Sequence, residues 1–166
     1  MFKLFSKQQI LFLCGLASAA LLTAAFGFEY LGGLAPCKLC LWQRWPHAGV
    51  IVFCLMGTTG VLRSGPAFLM IALCAAVTAI IASYHVGVEQ QLWQGPTSCS
   101  GALNSMSASD LLDSLLSTPV VRCDEIAWSF ANISMAGWNM LFSSGLEIWG
   151  LQILGPSELN PDVQGD

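Results

Sequence analysis

Ile10 to Phe28 is a run of nineteen residues without one Asp, Glu, Lys or Arg. At 1.5 Å of rise per residue, a helix of that length matches a hydrocarbon layer of roughly 30 Å. Two more such stretches follow: Trp45 to Leu62, and, after the short break Arg63-Ser64-Gly65-Pro66, Ala67 to Tyr84. Trp138 to Leu154 has spanning length but carries Asn139, Ser143, Ser144, Gln152 and the ionisable Glu147. Small residues at Ala17 to Ala20 would suit a signal peptidase, but the apolar run continues well past them, so a span is expected rather than a cleaved leader. The expected fold is all-α, a single membrane domain over 1–166. It is a transmembrane four-helix bundle with spans at about 10–28, 45–62, 67–84 and 138–154.

Composition agrees. Hydrophobic residues make up 55% and charged residues 10%, with a mean hydropathy of +0.65, which leaves too little polar surface for a soluble globule. A net charge of -4 with that hydrophobicity excludes disorder. Six scattered Lys and Arg form no stripe that could neutralise phosphates, so no nucleic-acid partner is expected.

Lys3 and Lys7 precede the first span and Glu29 follows it, which points the N-terminus inward. Lys and Arg then divide evenly between the two sides, whereas Trp42, Trp45, Trp93, Trp128 and Trp138 cluster at outer ends, where amphipathic rings settle. Two outer loops result, at about 29–44 and 85–137, with an inner tail at about 155–166. In the long loop, Ser107 and Asp110 read as an N-cap pair. Leu111, Leu112, Leu115 and Leu116 form one face before Pro119, so a short amphipathic surface helix is expected. Glu147 is costly in a span unless it faces protein or water.

Seven cysteines divide by place. Cys14, Cys54 and Cys74 fall inside spans, where cysteine behaves as a small apolar residue. Cys37-Lys38-Leu39-Cys40 is a C-x-x-C in the first outer loop, a spacing that closes a small disulfide or grips a metal. Leu41 stands where haem attachment needs His, and no second C-x-x-C completes a zinc site, so no metal is expected and redox use is favoured. Cys99 and Cys123 can pair as a staple of roughly 3.5 kcal/mol, or exchange with the first pair. Arg44 follows Cys40 by one helical turn and could support a thiolate or reach to headgroups, while Pro46 argues against an unbroken helix through this point.

Pro36-Cys37-Lys38-Leu39-Cys40-Leu41-Trp42-Gln43-Arg44, a His ending the third span, and the run from Gly87 to Cys99 together resemble the disulfide bond formation protein B (DsbB) family over nearly the whole chain. The resemblance implies a multi-pass enzyme of the bacterial inner membrane with both loops periplasmic and both termini cytoplasmic. Such an enzyme reoxidises a periplasmic thioredoxin-like dithiol oxidase of the DsbA type and passes electrons to a quinone, ubiquinone or menaquinone. It implies disulfides Cys37-Cys40 and Cys99-Cys123, with Cys99 attacked by the partner and Cys40 on the quinone side. Arg44 and His85 would lie beside the quinone. Two alternatives stay open: a quinone reductase of the vitamin K epoxide reductase type, and a non-enzymatic membrane protein with stapled or metal-binding cysteines.

Overall fold

The computed structural model describes residues 5–96 and 121–153. Cys99, the expected surface helix at 107–119 and the tail at 155–166 lie outside the described residues.

The first helix, α1, spans Lys7–Tyr30. Ser6 starts it with a reciprocal cap: its hydroxyl accepts from the Gln9 N–H at 3.2 Å, and Gln9 Oε1 accepts from the Ser6 N–H at 2.8 Å. After a turn containing Gly33 at φ +67°, α2 runs over Lys38–Thr58. Gly60 at φ +76° shapes the next turn into α3, Ser64–Glu89. Two short strands, β1 (Ser129–Phe130) and β2 (Ile133–Ser134), form an antiparallel hairpin that leads into α4, Met135–Ile153. Ala131 and Asn132 between them both take positive φ, as a two-residue hairpin turn requires. The sequence offers no Asn-Gly or Asp-Gly signal there, so the hairpin was not expected.

Among the described residues α1 and α3 are long and apolar enough to cross a membrane. The course of α2 corrects the expectation drawn from Pro46, because the helix starts at Lys38 and passes through the proline unbroken. Proline removes one main-chain bond and disturbs carbonyls one turn earlier. The carbonyl that loses its main-chain donor is that of Trp42, and at the next residue the Thr78 hydroxyl of α3 donates to the Gln43 carbonyl at 3.4 Å, tying this turn to the neighbouring helix. Cys40 therefore lies in the first turn of a helix rather than in a loop.

α3 packs most extensively on α4 and α2, and α2 packs on α1. Their shared core holds Leu11 and Cys14 of α1, Val50 and Cys54 of α2, Phe68 and Ile71 of α3 and Leu146 of α4. Close approach is set by small residues: a Cβ on Gly57 would sit 2.9 Å from Leu11 and 3.1 Å from Ala67. Cys14 and Cys54 are buried in this core as packing groups. Between α1 and α4 the bundle leaves a cleft of about 440 Å³.

Candidate functional site

The cleft gathers most of the expected site. Cys37, Cys40, Arg44 and His85 all line it. Cys37 is the N-cap of α2, and its sulfur accepts from the Cys40 N–H at 3.3 Å. The two Sγ atoms lie 3.0 Å apart in the dithiol form. Both precede the apolar stretch that begins at Trp45. A thiol donated from Cys37 pulls the Cys40 pKa below the ordinary thiol range, against the opposing effect of burial. The same hydrogen bond, together with burial, pushes Cys37 up to about 12. The shared hydrogen bond thus keeps the proton on Cys37 in preference to Cys40, so of the two sulfurs Cys40 is the one biased toward thiolate, the form that acts as nucleophile and electron donor.

Cys123 packs against this pair. It is buried in a small cluster with Cys37, Leu39 and Val88, and it bears electrostatically on Cys40. With Cys99 outside the described residues, the Cys99-Cys123 pairing has no geometry to report.

Arg44 occupies the same cleft but points to α1. Its Nη1 donates to Glu29 Oε2 at 2.5 Å, and the guanidinium lies 4.7 Å from the Phe26 ring centre. The side chain is 15% exposed, which is not the posture of an arginine reaching for headgroups. Its Nε is buried without a hydrogen-bond partner. An orphaned buried N–H is costly, and it belongs to a residue that lines the cleft.

The cleft walls are apolar and aromatic. Leu21, Leu22 and Ala25 come from α1, and a continuous row of rings closes one side. Phe28 lies 4.9 Å from Trp128, Trp128 6.3 Å from Phe130, Phe130 6.4 Å from Trp138 and Trp138 5.8 Å from Phe142. Such a cavity accepts a flat, apolar molecule that carries hydrogen-bond acceptors.

His85 sits deeper. Its Nε2 lies 3.5 Å from Cys37 Sγ and 3.9 Å from Glu89 Oε1, and its Nδ1 3.2 Å from Gln43 Nε2. The ligand atoms of Cys37, Cys40 and His85 fall within 4.8 Å of one another, a grouping the sequence could not reveal because the histidine comes from another helix. A carboxylate facing Nε2 and an amide N–H facing Nδ1 place the ring hydrogen on Nε2. With its hydrogen there, the imidazole offers the Cys37 sulfur a donor.

Sequence reasoning missed Glu29, Gln43, His47, Glu89 and Asn139. Their signal was present in part: Asn139 and Ser143 are the polar residues that made the fourth span unusual, and both turn inward here. Glu147 is half-buried on the same helix.

The family model for disulfide bond formation protein DsbB matches residues 7–153. The chain belongs to the DsbB family. Disulfide bond formation protein B 2 of Pseudomonas savastanoi pv. phaseolicola (strain 1448A / Race 6) is 34% identical over 146 residues, covering 84% of this chain and 83% of that protein. Disulfide bond formation protein B of Xanthomonas axonopodis pv. citri (strain 306) is 32% identical over 149 residues, covering 84% and 86%. DsbB membership makes this chain a disulfide-generating oxidoreductase, and the two membrane-capable helices among the described residues agree with a membrane protein. The non-enzymatic alternative loses its ground.

Proposed function

We propose that this chain is a thiol:quinone oxidoreductase of the bacterial inner membrane. It reoxidises a periplasmic thioredoxin-like dithiol oxidase of the DsbA type and delivers the electrons to ubiquinone or menaquinone. The observation that carries the reading is the C-x-x-C pair on the wall of an aromatic cleft that also holds a buried, unpartnered arginine N–H.

All four helices carry exposed apolar side chains, among them Phe12 and Leu16 of α1, Leu55 of α2, Ile80 of α3 and Ile148 of α4, which supports four spans. With both termini cytoplasmic, Cys37, Cys40, Cys99 and Cys123 share the periplasmic side.

A quinone fits the cleft: the rings and aliphatic walls suit its flat body, and Arg44 Nε offers a hydrogen to a carbonyl. Arg44 would hold it with His85 on the Cys37 side, and a bound quinone supplies an acceptor for two electrons and two protons. The chain's own part is thiol exchange. A partner thiolate attacks Cys99 of the Cys99-Cys123 disulfide, and a second attack by the mixed disulfide's other partner thiol releases an oxidised partner and a Cys99, Cys123 dithiol. That dithiol then opens the Cys37-Cys40 disulfide, two electrons and two protons moving with the exchange. The Cys99-Cys123 bond reforms, and the reduced pair is left with its thiolate at Cys40, facing the cleft.

The test is spectroscopic. In Cys37→Ser protein the Cys40 thiolate has lost its disulfide mate, and adding quinone should produce a new absorbance band. The band should vanish in Cys40→Ser protein. A band that survives Cys40→Ser would transfer the role to Cys37, and none in either variant would refute quinone binding beside the pair.

A further inference from the structure

Buried polar groups in a membrane bundle need partners, and here several of them form one chain across all four helices. Ser18 of α1 lies 3.4 Å from His47 Nδ1, and His47 Nε2 lies 2.8 Å from Asn139 Oδ1 of α4. Asn139 Nδ2 donates to Gln43 Oε1 at 2.6 Å, and Gln43 Nε2 lies 3.2 Å from His85 Nδ1 of α3. His85 Nε2 faces Cys37 Sγ, which donates to Cys40.

The direction of this chain is fixed by its branches. One amide atom of Asn139 faces both the Ser143 hydroxyl, at 3.3 Å, and His47 Nε2. The other, Nδ2, faces Thr78 Oγ1 at 3.5 Å, and the Thr78 hydrogen is already committed to the Gln43 carbonyl. Thr78 can only accept there, so that atom is the nitrogen. Gln43 must then turn its Oε1 to Asn139 and its N–H to His85 Nδ1, which leaves the imidazole hydrogen on Nε2. Every link donates the same way, from Ser18 through His47, Asn139, Gln43 and His85 to Cys37 and Cys40, and the Cys123 main chain is a second acceptor for His85.

We propose that His47, Asn139 and Gln43 are positioning residues: a head-to-tail hydrogen-bond chain that holds His85 as the Nε2–H tautomer against Cys37, which makes the Cys37 S–H a stronger donor to Cys40 and so favours negative charge on Cys40. The inference rests on the reading of Cys40 as the quinone-side thiolate, but its test uses reduced, quinone-free protein and does not depend on quinone chemistry. In-line donors polarise one another, so breaking a distant link weakens the near ones. The charged and titratable groups around the sulfurs are Cys123 from the loop before β1, Glu89 of α3, Arg44 of α2 with its partner Glu29 of α1, and Arg122 and Glu125 at the cleft rim. All of them are retained when α4 is altered.

Asn139→Leu and Gln43→Leu each remove a link while keeping an apolar side chain of similar size. In each variant, the pH midpoint of Cys40 alkylation by iodoacetamide should rise by about one unit, a tenfold smaller thiolate fraction below the midpoint. The double variant should shift no further than Gln43→Leu alone, because links in series are not additive. In the unaltered protein, ¹⁵N NMR of labelled histidine should show His85 protonated at Nε2, with mixed tautomers in Gln43→Leu. A His85 protonated at Nδ1 in the unaltered protein would overturn the proposal. So would a lowered Tm in both variants with an unmoved Cys40 midpoint, since that marks a purely structural network. The tautomer measurement needs no variant, so poor folding of the substitutions cannot protect the idea.

Discussion

Arg44 shows how one residue can satisfy two demands at once. Glu29 holds Nη1 of the guanidinium, Nε–H has no hydrogen-bond partner, and the proposed function assigns that N–H to a ligand. Replacing Arg44 by Met removes a charged donor, worth roughly 1.5–3 kcal/mol when its acceptor is present, so KM for quinone should rise about 10- to 100-fold. Steady-state kinetics with quinone varied checks this, and exchange at Cys99 should be unaffected. The sulfur pair gives a second prediction. Because folding lowers the Cys40 pKa, its contribution to the stability of the reduced protein is present above the unfolded-state value and is lost as pH falls through the folded one. Cys37 behaves oppositely: raised to about 12, it contributes below the ordinary thiol value and loses that contribution as pH climbs towards 12. Alkylation followed by peptide mapping should therefore label Cys40 at pH values where Cys37 stays protected. Equal labelling of both across the pH range would contradict the assignment.

At the scale of helices, the first and third were legible because long uncharged runs have one stable outcome in a bilayer. The start of α2 was not, because a proline costs a helix one main-chain bond without ending it where packing holds the turn, as the Thr78 hydroxyl does at Gln43. Cys37, Cys40 and Arg44 stood out by their spacing and His85 by resemblance, and all four line one cleft. Its hydrogen-bond chain was hidden, since Gln43, His47 and Asn139 meet only when α2 packs through α3 against α4. Packing at this level is testable at Gly57, where even a Cβ would press on Leu11 and Ala67. Gly57→Leu should force α1, α2 and α3 apart at a cost of about 1–3 kcal/mol, read as a lower Tm in detergent. An unchanged Tm would mean that the close approach at Gly57 contributes little.

For the whole molecule, the proposed arrangement places the sulfurs and the cleft near one membrane face and the termini on the other. A reporter cysteine near Gly165 in intact cells should resist a membrane-impermeant maleimide, while one near Ser107 should label. Equal labelling would contradict four spans. The central claim is that this protein couples disulfide formation in a dithiol partner to quinone reduction. The measurement that tests it most directly is stoichiometry in quinone-loaded lipid vesicles with a reduced thioredoxin-like partner. One quinol should appear for each partner disulfide formed, and both should stop together in Cys40→Ser protein. Partner oxidation that proceeds without quinol, or that persists in the Cys40→Ser protein, would contradict the account.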